Sequence, residues 1–345
     1  MTSVGDFKSV LLGFSGGVDS VAAIDILRSR GLSVTALTLN TTGDERMLHE
    51  AAIKAAELGV EHIVKDVRKE FECKVVEYFL SSYMAGRTPA PCTVCNPLIK
   101  WHHLISEADR LGIDAVATGH YFNVVNYDGR YYVSKAVDCR KDQSYYLWGL
   151  SQEVLARVIT PMGQIIKQDI NPVLSKAKES MGLCFLHGKS YGDFIKECNT
   201  LAQVKGDVVT QDGSVVGQHE GVAFYTIGQK KGFESSVAGA RVVAIDAERN
   251  ELIIGDNGDL YHQTLEVGMC NLVSQDEFLQ STDVSVVVRG IGRNPEGYIK
   301  SVEKVGNRYR IKLENPAWAP AIGQPIVFYR GDRVIGGGFL EGYSK

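Results

Sequence analysis

Glycines and hydroxyl side chains cluster in one short segment near the N-terminus, between a predicted strand and a predicted helix. Paired glycines let backbone N–H groups close around phosphate oxygens, and a helix N-terminus adds positive potential. The lysine of a Walker A loop is absent, so this loop is not built around a transferred γ-phosphate. The segment is predicted to bind phosphate; the alternative is a glycine-rich turn with Asp19 and Ser20 as helix caps. Its residues are Gly13, Phe14, Ser15, Gly16, Gly17, Val18, Asp19 and Ser20.

Three cysteines form the second group of residues that could act as nucleophiles or metal ligands. Cys92 and Cys95 precede a predicted helix, where a thiolate is stabilised as a nucleophile or a metal ligand requires. A Cys-x-x-Cys spacing without a second pair is weak evidence for zinc, and two ordinary half-buried thiols are the alternative. Cys184 stands alone in an apolar run, a pattern that by itself favours core packing.

Two further polar segments allow more than one interpretation. Lys141, Asp142 and Gln143 lie at the start of a helix predicted over 143–158. There they suit contacts with RNA phosphate or sugar, and they equally suit capping of that helix. His219 lies in a β segment rich in glycine, where a structural and a functional role are both open.

The first half of the chain alternates short apolar runs with segments of helical period. That alternation predicts a parallel sheet of at least four strands with helices packed on it. Glycines follow several of the helices, as expected for C-terminal stops. The predicted strands cover 10–12, 34–39, 62–67 and 114–118, and the predicted helices cover 20–30, 47–58, 71–84 and 97–111.

The pattern changes to mostly β in the second half. Residues 124–133 form a predicted hairpin with an Asp-Gly turn, and helices largely stop after about residue 205. The recurring short strands beyond that point are typical of a small barrel or sandwich. We therefore predict an α/β domain with a parallel sheet over 1–203, a β-rich adaptor over 204–270 and a β-barrel over 271–345.

Composition narrows the class of protein. The chain has 345 residues, no run of about 18 apolar residues, and an odd number of cysteines, so reduced thiols in the cytoplasm and no membrane span are expected. The net charge of −4 gives no global reason to bind nucleic acid. Residues 289–345 nevertheless carry a charge of +5, which suits contacts with phosphates as well as an ordinary solvated β surface.

Taken together and in order, these segments resemble one family over nearly the whole chain. Ser-Gly-Gly-x-Asp-Ser resembles the PP-loop of the ATP pyrophosphatases, which split ATP between its α- and β-phosphates. The complete set resembles the tRNA-specific 2-thiouridylases. The segments that carry the resemblance are 13–20, 95–100, 117–121, 141–145, 182–185, 225–230, 320–324 and 336–338.

The resemblance implies sulfur insertion at C2 of the wobble uridine in tRNAs of the Glu, Gln and Lys type. It implies that ATP, with Mg²⁺, adenylates the C2 oxygen. A persulfide on Cys184, loaded by a cysteine desulfurase or a sulfur-relay protein, would supply sulfur, and the nucleophile Cys95 would release the product by forming a disulfide. The implied ATP site adds Leu39 and Gly119 to residues 13–20, and the implied tRNA contacts are Ala90, Pro91, Cys92, Lys141, Asp142, Gln143, Arg289 and Gly290.

The chain departs from the family pattern at several points. Many relatives have Asn-Pro-Asp where this chain has Ala90-Pro91-Cys92, so a carboxylate is replaced by a thiol. Relatives with this Cys-x-x-Cys version use three cysteines for a [4Fe–4S] cluster, which would here be Cys92, Cys95 and Cys184. The spacing leaves the persulfide and cluster routes open. Segments after Leu39 and within 170–180 are shortened, and a tRNA-binding paralogue with reduced activity is a further alternative.

Overall fold

The computed structural model describes residues 7–170, 182–290 and 292–345. It opens with a parallel sheet of order β3-β2-β1-β4-β7, which confirms the predicted α/β class. The predicted strands appear within a residue or two of their expected bounds. The strands of the first domain are β1 (Ser9–Gly13), β2 (Ser33–Asn40), β3 (Glu61–Asp66), β4 (Ala115–Thr118), the hairpin β5 (Asn123–Tyr127) and β6 (Arg130–Ser134), and β7 (Val158–Ile159).

Burial on both faces explains why the central strands read as continuous apolar runs. Val10, Leu11 and Leu12 of β1 are fully buried, and alternate residues enter the cores on opposite faces of the sheet. The helices that cover these faces, α1 (Val18–Ser29) and α2 (Glu45–Glu57), begin two residues before their predicted starts.

Two longer helices each contain a π-helical turn. The first consists of α3 (Arg68–Phe71), a π turn (Glu72–Val76) and α4 (Glu77–Met84). The second consists of α5 (Pro91–Cys95), a π turn (Asn96–Lys100) and α6 (Trp101–Leu111). The sequence predicted that this second helix starts at Pro97, and that was wrong. Pro91 occupies the first turn, and the π turn contains Pro97, which has no N–H to donate.

The helix predicted over 143–158 is also wrong. The segment forms a 3₁₀ turn (Ser144–Tyr146), a loop, the short α7 (Gln152–Leu155) and strand β7. Polar side chains accept hydrogen bonds from the backbone of other segments instead of capping a helix. Asp142 Oδ1 accepts from the N–H of Ala136 at 2.8 Å, and Gln143 Oε1 accepts from the N–H of Tyr121 at 3.0 Å. Side-chain bonds of this kind compete with helix formation.

The rest of the chain is mostly β, as predicted. One sheet has the order β10-β11-β8-β9 and a larger one contains β13-β16-β17-β12-β15-β14. Strand β12 runs through residue 270, where the predicted adaptor domain ends. The predicted domain boundaries stay predictions. The strands are β8 (Gly206–Thr210), β9 (Val215–His219), β10 (Arg241–Asp246), β11 (Glu251–Gly255), β12 (Tyr261–Leu272), β13 (Val284–Val287), β14 (Ile299–Val305), β15 (Arg308–Trp318), β16 (Pro325–Arg330) and β17 (Arg333–Ser344); α8 (Tyr191–Cys198) and α9 (Gln275–Gln280) are the helices.

Hydrogen bonds tie the first domain to both β sheets. The N–H of Thr88 donates to the carbonyl of Ile322 at 2.8 Å, and the hydroxyls of Thr88 and Thr226 lie 2.6 Å apart. The Tyr145 hydroxyl donates to the carbonyl of Pro325 at 2.9 Å. The segments just before Pro91 and after Lys141 are therefore held against the β-rich half. Within the described residues, the helices are too short or too polar to cross a membrane.

Candidate nucleotide site and thiol centre

The predicted phosphate loop lies at the carboxyl end of β1, between that strand and α1. Gly16 has φ +74°, and a Cβ atom there would lie 2.9 Å from Cα of Ala51, so the loop requires glycine. Gly17 is the N-cap of α1 and no side chain caps it, so the interpretation of Asp19 and Ser20 as caps is wrong. The N–H groups of the first turn are thereby left for an anion.

Hydroxyl groups line the same loop. The Ser15 and Ser20 hydroxyl oxygens lie 3.4 Å apart, and the N–H of Gly17 donates to Ser15 Oγ at 3.4 Å. Ser20 donates to the carbonyl of Gly17 at 2.9 Å. These bonds hold the loop in shape with two hydroxyls beside the helix N-terminus.

Gly119 completes this end of the sheet. The chain runs outward from β1 through β2 to β3 and then returns to β4, so β1 and β4 flank the point where the strand order reverses. Ligands of open α/β sheets bind at that point. A Cβ atom on Gly119 would lie 3.0 Å from the nitrogen of Ser20, so its backbone packs directly on the start of α1. Leu39, half-buried near the end of β2, lies at the same edge of the sheet.

A buried lysine at the loop was missed by the sequence analysis. The Asp19 carboxylate accepts a hydrogen bond from the Tyr121 hydroxyl at 2.8 Å and forms an ion pair with Lys167 Nζ at 2.9 Å. Lys167 is only 8% exposed, and its backbone N–H donates to Asp138 at 3.0 Å. In the sequence, Lys167 is a single lysine that follows two isoleucines in a polar segment. That pattern does not indicate that Asp19 is its partner.

The three cysteines come together in the structure although 89 positions separate Cys95 from Cys184. Cys92 and Cys95 lie on α5, and Cys184 opens a 3₁₀ turn (Cys184–Leu186). Both other thiols act electrostatically on Cys95. Cys95 also packs on the same apolar cluster as Ile99 and Phe185. Each of the seven cysteines, all within the described residues, is a free thiol.

Desolvation by the surrounding protein, and not a helix terminus, has the largest effect on the thiol pKa values, although Cys95 is half-buried and Cys92 and Cys184 are exposed at the surface. Burial raises the pKa of Cys95 to about 11 and also raises those of Cys92 and Cys184. The charge of Lys100 opposes this effect at all three thiols. The expectation that the Cys-x-x-Cys pair favours its thiolate form is therefore wrong, because desolvation outweighs the neighbouring positive charge.

The residues present do not form a preformed metal centre. Within the described residues, no group of three or more Cys, His, Asp or Glu side chains is arranged to hold a metal ion. Cys92, Cys95 and Cys184 therefore lie close together without the geometry that a three-ligand cluster site needs.

Cys92 and Gly290, from two of the segments predicted to contact tRNA, lie near the neighbouring side chains of Tyr145 and Tyr146. The Asn96 side chain donates to the carbonyl of Tyr146 at 3.0 Å, and Cys92 acts electrostatically on Tyr146. Gly290 packs so closely that a Cβ there would lie 2.6 Å from the Tyr145 ring. Tyr145 and Tyr146, which follow segment 141–143 along the chain, thus lie between Cys92 and Gly290.

Several side chains singled out in the sequence have structural partners. Arg289 donates to the carbonyl of Ala319 at 2.7 Å and lies over the Trp318 ring. His219 accepts the N–H of Gly221 at 3.0 Å and contacts the carbonyl of Asn250, which favours its structural role. Within the basic C-terminal segment, ion pairs occupy Arg308, Arg310, Arg330 and Arg333.

The fold and the loop define an α/β protein of the PP-loop class, and comparison with family models agrees. Residues 8–188 match a model described as tRNA methyl transferase HUP domain. Residues 192–256 match the tRNA methyl transferase PRC-barrel domain, and residues 262–340 match the aminomethyltransferase beta-barrel domain. The predicted order of an α/β domain followed by two β domains is confirmed.

Individual relatives identify the family. The chain is 40% identical to tRNA-specific 2-thiouridylase MnmA 3 of Bacteroides fragilis, over 96% of this chain and 94% of that protein. It is 36% identical to MnmA of Amoebophilus asiaticus, over 97% and 96%. It is 32% identical to MnmA of Lachnoclostridium phytofermentans, over 96% and 99%. The chain belongs to the MnmA family, and membership of a PP-loop family implies use of ATP and Mg²⁺.

Proposed function

We propose that this protein forms 2-thiouridine at the wobble position of tRNA, using ATP and a cysteine-bound sulfur. The observation that carries the proposal is the meeting of Cys95 and Cys184 near Lys100, which bonds to His120 next to Gly119 at a nucleotide loop of PP-loop type. Other PP-loop enzymes share the loop but have no need for two thiols drawn from distant parts of the chain. Relatives that match nearly the whole length carry the name tRNA-specific 2-thiouridylase.

The first half-reaction activates the uridine. The C2 oxygen attacks the α-phosphorus of ATP, a new oxygen–phosphorus bond forms, and pyrophosphate leaves with the electron pair of the broken bond. The N–H groups at the start of α1 and the hydroxyls of Ser15 and Ser20 hold phosphate oxygens. Asp19 is the carboxylate at this loop that can share the Mg²⁺ accompanying ATP.

The second half-reaction exchanges oxygen for sulfur. The terminal sulfur of a Cys184 persulfide attacks C2, and AMP leaves with the former C2 oxygen. The Cys95 thiolate then attacks the Cys184 sulfur, so that a Cys95–Cys184 disulfide forms and 2-thiouridine is released. An external thiol reductant restores both cysteines. A cysteine desulfurase or a sulfur-relay protein reloads Cys184.

The substrate would be tRNA of the Glu, Gln or Lys type. Segments 90–92, 141–143 and 289–290 are proposed to border the target base. Cys92 and Gly290 both lie near Tyr145 and Tyr146, which follow segment 141–143. A [4Fe–4S] route would draw on the same three thiols. No step is assigned to a cluster, because the described residues lack a three-ligand group.

The test is 2-thiouridine analysis of tRNA incubated anaerobically with ATP, a cysteine desulfurase and cysteine, alongside an iron and acid-labile sulfide assay. Cys95→Ser and Cys184→Ser should each abolish thiolation, whereas Cys73→Ser, at an exposed thiol on another helix, should retain it. Thiolation that survives either of the first two variants would overturn the proposed roles. Iron near four per chain that is lost in Cys92→Ser together with activity would replace the persulfide route by the cluster route.

A further inference from the structure

Lys100 is a half-buried cation without a carboxylate partner among the described residues. Two other partly buried lysines of this domain are neutralised: Lys65 pairs with Glu107 at 3.1 Å, and Lys167 pairs with Asp19 at 2.9 Å. Removing an ammonium group from water is costly unless an opposite charge compensates. An unpaired cation at this depth therefore points to an anion that arrives with the substrate.

A neutral imidazole fixes the position of this ammonium group. Lys100 Nζ lies 3.1 Å from His120 Nε2, and His120 Nδ1 lies 2.8 Å from the Thr118 hydroxyl. Burial, with a smaller effect of the Lys100 charge, holds the pKa of His120 well below its usual value. The ring is thus neutral: Nε2 accepts from the ammonium group, and Nδ1 carries the proton and donates to Thr118.

Lys100 lies between the nucleotide loop, where ATP would bind, and the thiol centre, where sulfur would be transferred. Its partner His120 directly follows Gly119, whose backbone packs on the first turn of α1 at the nucleotide loop. On the other side, the charge of Lys100 acts on Cys92, Cys95 and Cys184. The phosphate of an adenylated uridine must occupy this interval, since one end of the intermediate comes from ATP and the other meets the attacking sulfur.

We propose that Lys100 is a catalytic residue of the second half-reaction, where its ammonium group binds the phosphate of the adenylated uridine and stabilises AMP as it leaves. This inference rests on the proposed function. As the sulfur–C2 bond forms, the bond from C2 to the bridging oxygen breaks and its electron pair passes to AMP. The phosphate gains negative charge, and Lys100 offsets that charge without donating its proton. Pyrophosphate departs earlier, at the loop before α1, so the first half-reaction depends less on Lys100.

The experiment compares Lys100→Met, Lys100→Arg and the control Lys69→Met, an exposed lysine on α3. Each variant is persulfide-loaded with a cysteine desulfurase and cysteine, then mixed with tRNA and ATP labelled at the α-phosphate. Pyrophosphate release, label held on tRNA, AMP release and 2-thiouridine are followed in a single turnover. Circular dichroism and thermal unfolding check that each variant is folded.

We expect Lys100→Met to release pyrophosphate within about threefold of the parent rate and to slow AMP release and thiolation about 10²-fold, the effect of losing one oxyanion-stabilising group. Label should accumulate on tRNA, Lys100→Arg should recover at least part of the lost rate, and Lys69→Met should behave as the parent. Equal slowing of pyrophosphate and AMP release, or normal thiolation, would overturn the role of Lys100. Absence of tRNA-dependent pyrophosphate release in the parent protein would instead contradict the proposed function.

Discussion

The nucleotide loop and the thiol centre are built in opposite ways. The loop is made by consecutive residues, its shape comes from two glycines and the N-terminus of α1, and its serines bond to one another. The thiol centre joins α5 to a turn far along the chain, and apolar packing holds the two together. Phe185, next to Cys184, packs edge-on against Phe79 at 5.1 Å. One site is therefore preformed by local chain geometry, and the other depends on tertiary packing.

The two sites also differ in electrostatics. The loop presents backbone N–H groups with Lys167 and Asp19 already paired, which suits a highly charged ligand. At the thiol centre, desolvation raises the pKa of all three thiols despite the charge of Lys100, and that of Cys95 to about 11. Binding of nucleotide thus needs little reorganisation, whereas sulfur chemistry needs a thiolate to form in an environment that opposes it.

The largest expected effect comes from a substitution that disrupts the nucleotide site and leaves the thiol centre intact. Asp19→Asn removes the carboxylate that is proposed to share Mg²⁺ with ATP, and we expect pyrophosphate release to fall about 10³-fold, at the upper end of single-group electrostatic effects. Retention of tRNA on a filter should be unchanged. Asp25→Asn, at an exposed aspartate of the same helix, is the control. Unchanged turnover of Asp19→Asn would remove this residue from the nucleotide site.

The second prediction tests the neutral state of the thiols. Because the pKa of Cys95 is raised to about 11, its neutral form dominates at pH 7, and its thiolate fraction rises with pH until pH 11. The rate of Cys95 alkylation, followed by peptide mass spectrometry in the presence of a chelator, should rise about 10²-fold from pH 7 to pH 9. A model thiol of pKa about 8.5 levels off in that range. A plateau for Cys95 below pH 9 would contradict burial as the dominant effect.

A third variant disturbs the charge balance at the loop. Lys167→Met leaves the Asp19 carboxylate unbalanced beside the phosphates, and the KM for ATP should rise about 10- to 100-fold, or roughly 1.4–2.8 kcal/mol. Lys54→Met, which removes an exposed ion pair with Glu57, serves as the matched control. An unchanged KM for ATP would show that Lys167 has only a structural role.

The smallest effect sharpens the contrast between the sites. Phe185→Ala removes the aromatic side chain beside Cys184, and the free energy of unfolding should fall by about 3 kcal/mol. In the variant that remains folded, thiolation should fall about tenfold relative to pyrophosphate release, because only the thiol centre loses its support. Phe278→Ala, on α9 where it packs on the last β sheet, should cost similar stability without changing that ratio. Equal loss of both activities would show that the two sites share one packing unit.

Local patterns explain what could be predicted from the sequence. The parallel strands, the nucleotide loop and the hairpin turn all follow from short-range residue patterns. Asp128 and Gly129 adopt φ values of +51° and +73° at that turn, as an Asp-Gly pair allows. The prediction of a helix over 143–158 was wrong because apolar spacing did not reveal that Asp142 and Gln143 would bond to the backbone of Ala136 and Tyr121, in the loops after β6 and β4.

The sequence by itself determined the PP-loop, the order of the α/β and β domains and, through family resemblance, the cysteines to examine. Only the tertiary structure decided that Lys167 pairs with Asp19, that Lys100 bonds to His120, and that burial raises the pKa of Cys95. The physical reason is the distance along the chain over which each interaction acts. Strands and loops follow from neighbouring residues, whereas ion pairs and desolvation depend on which distant segments pack together.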